Sequence, residues 1–268
     1  MSLEQQVANL VDASNNLTNT VGNKIGEIDQ KIIELEKTAS NAVFDEMNKE
    51  IWLNCVTGND SNAGTSTSPI KSVKRALEMV PNGGTVTIRC LGDLTNLFGK
   101  DPSLTENQNL VVNNRKKVYV DLRNHTWRIK TAQKTPWTTP NDPYYGPNQY
   151  VTSDAFSQFW ILNGVIDVDF ASAEHQALNS YPHPSMLAIF GVSVSFTALY
   201  GIDYNCMVPS FAVFSIDGWS ATRADVNLNN CNFSGVGKMR HAGNGGVAVE
   251  DIKISRRTVT VDETFTDN

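Results

Sequence analysis

The sequence predicts a mainly β protein, a parallel β-helix (solenoid) behind an N-terminal α-helical coiled coil. Three observations predict it. A heptad seam with one stutter runs through the first forty residues, a helix with clear punctuation lies between Gly-rich turns at 51–94, and a strand-and-corner pattern recurs between 120 and 254.

The seam comes first in the chain. Apolar or small residues fall at Leu3, Val7, Leu10, Ser14, Leu17, Val21, Ile25, Ile28, Ile32, Leu35, Ala39 and Ala42. Their spacings alternate between four and three, with one stutter between Val21 and Ile25, where a supercoil unwinds locally. Gly22 and Gly26 sit at that stutter, and each weakens a lone helix by about 1 kcal/mol relative to Ala. The other faces are polar, so the stripe needs something to bury against. Ile at successive seam positions shifts the preference from two strands toward three or four. The alternative is an amphipathic helix packed on the chain's own globular part.

Next comes an alternating strand, Ile51-Trp52-Leu53-Asn54-Cys55-Val56, and a turn-rich stretch from Thr57 to Ser66. Ser68 then reads as an N-cap with Pro69 at the first helical position, and Ile70, Val73, Ala76, Leu77 and Val80 share one face. Pro81-Asn82-Gly83-Gly84 ends that helix before the strand Thr85-Val86-Thr87-Ile88. A Gly-rich turn ahead of a strand is the reverse of a phosphate-binding loop, which opens a helix. The stretch predicts no nucleotide site.

Four later segments share an apolar-x-apolar-x-[Asn/Asp]-x-x-apolar pattern, with corner positions at Asn124, Asn163, Asn230 and Asp251; Gly201 fits it loosely. Strand alternation points every second side chain inward. A five-residue step, as from Leu122 to Trp127, reverses that phase, so the chain must bend if both residues face one core. Asn, Asp and Gly tolerate the left-handed backbone that such a bend requires. Corners at irregular intervals suit solenoid coils that grow loops of different length. An ordinary β-sandwich with Asn turns is the alternative.

The domain organisation expected is therefore 1–43 coiled coil, 44–94 opening module with a short capping helix, and 95–268 β-helix body with long loops. The opening module, carried by Ile51-Trp52-Leu53-Asn54, the turn from Thr57 to Ser66, Ser68 to Leu77 and Pro81 to Ile88, resembles that of bacteriophage tail fibres and tailspikes with pectin-lyase-like β-helices. The resemblance implies a right-handed coil, a helix plugging the open end of the solenoid, and a homotrimer. It implies a virion structural protein, located in the tail and assembled in the host cytoplasm. The coil would dock on tail or baseplate proteins, and the body would contribute to adhesion at the host surface. The alternative within that family is a tailspike depolymerase that cleaves host surface polysaccharide.

Composition narrows the chemistry. The 268 residues carry a net charge of −6, and nine acidic against four basic side chains fall within residues 1–50. A nearly neutral remainder argues against nucleic acid, which needs clustered Lys and Arg. Arg115-Lys116-Lys117 and Arg256-Arg257 read as solvated loop ends. Cys55, Cys90, Cys206 and Cys231 lack metal or disulfide spacing and read as buried free thiols, and His125, His175, His183 and His241 are scattered. Neither cofactor nor metal is expected, no signal peptide is visible, and no stretch is long and apolar enough for membrane insertion.

Two sets of residues are candidates for a site. Asp167 and Asp169 share one strand face and, with Glu174, Asp203 and Asp217, could supply a carboxylate pair for glycoside hydrolysis. Catalysis is the less favoured reading, because alternating carboxylates are common on any solvent-facing sheet. The loop from Thr131 to Asp154 holds Pro136, Pro140, Pro143 and Pro147 with Trp137, Tyr144, Tyr145 and Tyr150. Proline-stiffened aromatics suit a contact with a neighbouring subunit or a sugar.

Overall fold

The computed structural model describes residues 2–95, 110–112, 114–131, 149–153, 157–170, 185–189, 195–208, 211–216, 224–242 and 252–266. The chain divides into two compact units, Met1–Glu46 and Met47–Asn268.

The first unit is helical. Helix α1 (Leu3–Met47) runs for 45 residues. It is proline-free, and it opens with the Ser2 hydroxyl accepting a hydrogen bond from the Gln5 N–H at 3.3 Å, which satisfies one of the orphan donors of the first turn. None of its residues is buried.

The second unit begins with strand β1 (Asn48–Leu53), helix α2 (Val73–Glu78) and strand β2 (Thr85–Cys90). Strands β1 and β2 pair in parallel, Ile51 opposite Ile88 and Leu53 opposite Cys90. A parallel pair requires a crossover, and here it carries a helix, as in a βαβ unit. Helix α2 buries Val73, Ala76 and Leu77. It starts later than Ser68 and Pro69 predict, because Ser68 pairs back on Thr65 and Ile70 is drawn into pairing beside β1. The Ile70 N–H donates to Trp52 O and the Asn54 N–H to Ile70 O, and Ser72 becomes the N-cap, its side chain accepting from the Arg75 N–H.

The remaining strands are β3 (Leu94–Thr95), β4 (Leu110–Val112), β5 (Lys117–Asp121), β6 (Thr126–Thr131), β7 (Gln149–Ser153), β8 (Gln158–Phe170) and β9 (Ser185–Ile189). They are followed by β10 (Ser195–Cys206), β11 (Ala212–Ile216), β12 (Ala224–Gly235), β13 (Lys238–Ala242) and β14 (Ile252–Val261). One sheet has the order β1-β2-β5-β8-β10-β12-β14, with β3 and β6 joined beside it; the other runs β13-β11-β9-β7-β4. From β7 onward the chain visits the two sheets alternately. Pairing between these strands is parallel throughout the described residues.

Parallel register stacks like on like. Ile51, Ile88, Val120, Ile161, Leu199 and Leu228 follow one another from strand to strand and are all buried. Five residues beyond Ile161, Leu199 and Leu228, the side chains of Ile166, Tyr204 and Phe233 are buried as well, as are Leu122 and, five residues beyond it, Trp127. The bend between the two rows has a left-handed residue each time: Asn124 at φ 65°, Asn163 at 52°, Gly201 at 62° and Asn230 at 52°. The fifth bend on this ladder falls at Thr258, φ 53°. Asp251, the corner read from the sequence, lies outside the described residues. A threonine there is unexpected, since a β-branched side chain disfavours positive φ.

The expected fold class, mainly β with a right-handed parallel β-helix (solenoid), an N-terminal coiled coil and a homotrimer, is corrected by these observations. Among the described residues the chain is mixed α/β: a single long N-terminal helix, one short helix inside a β1-α2-β2 crossover, and parallel sheets. The predicted coiled coil is one helix whose stripe is not covered. Heptad spacing specifies an apolar stripe on a helix, and alternation specifies strands, but neither pattern carries the class into which those elements assemble.

Candidate functional site

The most extended exposed apolar feature among the described residues is the seam of α1. Leu3, Leu10, Leu17 and Leu35 are 64–76% exposed, and Val7, Val21, Ile25, Ile28 and Ile32 are 47–55% exposed. Val11, Ile33, Val43 and Phe44 add further exposed apolar surface to the same helix. Contiguous exposure on this scale marks an interaction surface. The long helix lets the stripe form because nothing in its sequence breaks it.

The second unit carries a polar network across its first sheet. Glu50 Oε2 accepts from Arg89 Nε at 3.2 Å, and Arg89 Nη1 donates to Asp121 Oδ2 at 2.5 Å. The same Asp121 accepts from the Arg123 N–H and from Asn163 Nδ2. The hydrogen bond to Asp121 first, and then Glu50, hold the Arg89 guanidinium above its ordinary pKa against the opposing effect of burial. Arg123 lies 4.8 Å over the Trp52 ring, and Tyr119 stacks on Trp160 with ring centroids 4.2 Å apart. Parallel register explains the grouping, since residues far apart in the chain come to adjacent places on successive strands.

The candidate carboxylates are similarly engaged. Asp167 faces Arg128 at 3.8 Å, and Asp203 accepts from Asn232 Nδ2 at 2.6 Å. Asp169 lies on β8 with Asp167. Glu174 and Asp217 lie outside the described residues, as do Trp137, Tyr144 and Tyr145. Tyr150 falls on β7, of which only the backbone is described. The structure therefore brings Asp167 and Asp203 to adjacent strands, each with a partner.

Lys116 departs from the reading of its run as a solvated loop end. It is buried, and its ammonium donates to the Leu77 carbonyl of α2 at 2.6 Å. None of the four cysteines is in a disulfide; Cys90, Cys206 and Cys231 are buried, Cys55 partly so. Burial pushes the Cys206 thiol up to about 12, so it stays protonated near neutral pH. Among the described residues no group of three or more His, Cys, Asp or Glu could hold a metal, and no helix is long and apolar enough to cross a membrane.

Asp60 organises the turn ahead of α2. Its carboxylate accepts from the Lys71 N–H at 2.8 Å, the Ser72 N–H at 2.8 Å and the Ser72 hydroxyl at 2.7 Å. Burial would raise its pKa, but the hydrogen bonds from Ser72 and Lys71 outweigh it and hold the group below its ordinary 3.8. A depressed carboxylate contributes stability above its unfolded pKa, and that contribution is lost as pH falls through the folded value. Asp60→Asn is therefore expected to lower the melting temperature at pH 7 and to flatten its decline below about pH 4. Parallel melting curves for the two proteins across pH 3–7 would refute this assignment.

No family model, curated protein or solved structure matches this chain. The resemblance to phage tail fibres and tailspikes is corrected accordingly, and with it the expected tail-fibre function, the depolymerase alternative and the descriptive terms that followed from them. The residues that carried the likeness have a local explanation. Asn54 Oδ1 accepts from the Val56 and Thr57 N–H groups, Asp60 ties the turn to Ser72, and the Gly64–Ile70 segment hydrogen-bonds along β1.

Proposed function

We propose that this chain is a self-associating structural protein, in which α1 joins copies and the parallel-sheet unit is the folded body brought together. One observation carries the reading: a 45-residue helix with no buried residue presents a continuous apolar seam. A helix of this kind draws little stability from propensity alone and gains most from burying its stripe. A second copy offers a stripe of identical spacing, which allows seam residues to interdigitate along the whole length.

The test is the mass of the full chain in solution by light scattering, with Leu17→Lys/Ile28→Lys as the comparison. The wild type is expected to give a multiple of the chain mass. The double variant should give the single-chain mass at the same concentration, with lower helical ellipticity. A wild type that stays a single chain at tens of micromolar would sink the proposal.

A further inference from the structure

We infer that the copies joined by α1 lie parallel and in register, aligned by Lys24 and Lys31 of one copy against Asp29 and Glu36 of the next. The inference rests on the self-association proposed above and names the arrangement of the partner. Lys24 immediately precedes the seam residue Ile25, and Lys31 precedes Ile32; Asp29 immediately follows Ile28, and Glu36 follows Leu35. The basic residues therefore line one flank of the stripe and the acidic residues the other.

When two such helices pack side by side in the same direction, the residue before one seam position approaches the partner's residue five places further on. Lys24 then meets Asp29, and Lys31 meets Glu36, on both sides of the seam. In the opposite direction like flanks meet. Lysine would face lysine, and Asp29 and Glu36 would face each other, which is repulsive. Of the flanking residues further toward the N-terminus, Glu4 is acidic and Gln6, Val11, Ala13, Thr18 and Thr20 are uncharged, so paired opposite charges that can set direction occur in the C-terminal half of the helix. Within one copy Lys24 pairs with Glu27 at 2.6 Å, both side chains being more than half exposed. Such a pair is weak and leaves the lysine available to a neighbour.

Cross-linking tests the direction. Ser14→Cys and Ala39→Cys, at opposite ends of the seam, are made separately in the full chain carrying Cys55→Ser, and each is treated with a short bis-maleimide. Parallel, in-register copies are expected to cross-link at both positions. An antiparallel pair has only one level at which a residue meets its own copy, so an oligomer in which at most one position cross-links would overturn the inference. Lys24→Glu/Lys31→Glu is expected to weaken association by at least about tenfold, and mixing it with Asp29→Lys/Glu36→Lys should restore a mixed oligomer. Wild-type association by the first charge variant would also overturn the inference. Failure of the wild type to associate at all would instead strike the underlying reading, and the mass measurement separates the two.

Discussion

Trp127→Ala is expected to lower the free energy of unfolding by about 3–5 kcal/mol. Trp127 is the largest fully buried side chain among the described residues. It stands on β6, opposite Leu94 on β3 and Ile166 on β8, so the truncation empties a site walled by two neighbouring strands. Parallel strands in a shared register leave little room for that site to collapse, because moving one strand disturbs the pairing of the next. Urea denaturation at fixed protein concentration measures the loss, with the slope indicating whether the unfolded state has changed. A loss under about 1 kcal/mol would mean that the pocket is not packed as described.

Gly235→Ala is expected to cost about 3 kcal/mol or more, although it adds a single methyl group. Gly235 has φ +92°, where an L side chain is strained, and a Cβ there would lie 2.1 Å from the Cys206 carbonyl oxygen. That oxygen accepts from the Val236 N–H at 2.8 Å, and Gly235 O accepts from the Thr264 hydroxyl, also at 2.8 Å. The clash is therefore with backbone already fixed by hydrogen bonds, and neither side can move without breaking one. Gly22→Ala makes the matching control. Nothing lies within 4 Å of a Cβ at that position on α1, so the same change there should stabilise the helix by about 1 kcal/mol. If thermal melts show both substitutions to be neutral, the close approach at Gly235 is absent in solution.

The bends illustrate what could be read in advance. Asn124, Asn163, Gly201 and Asn230 were legible because a left-handed backbone restricts residue choice, and the five-residue phase change told where the chain must turn. Thr258 was not legible, since threonine carries no such signature and its bend is imposed by pairing with Asn230's strand. The start of α2 was misread for a related reason. Ser68 and Pro69 form a good local helix signal, but Ser68 pairs back on Gly64 and Thr65, Pro69 accepts from the Asn59 N–H, Ile70 bonds to β1, and Asp60 grips Ser72, so the helix begins only after them. Lys116 was misread because a basic run looks solvated until a helix C-terminus is placed beside it. The Glu50–Arg89–Asp121 network joins residues 39 and 32 positions apart, a grouping that only strand register creates.

The apolar seam of α1, with its stutter and its charged flanks, is set by the sequence alone, because helical periodicity is a local property. So is the alternation that makes strands, and so are four of the bends. Tertiary structure decided the rest. It set the mixed α/β class, the later start of the helix in the first crossover, the stacking of like residues from strand to strand, and the partners of Asp121, Asp167 and Asp203. Those outcomes depend on which strand lies beside which, and parallel neighbours are joined by crossovers whose length and content no local pattern specifies.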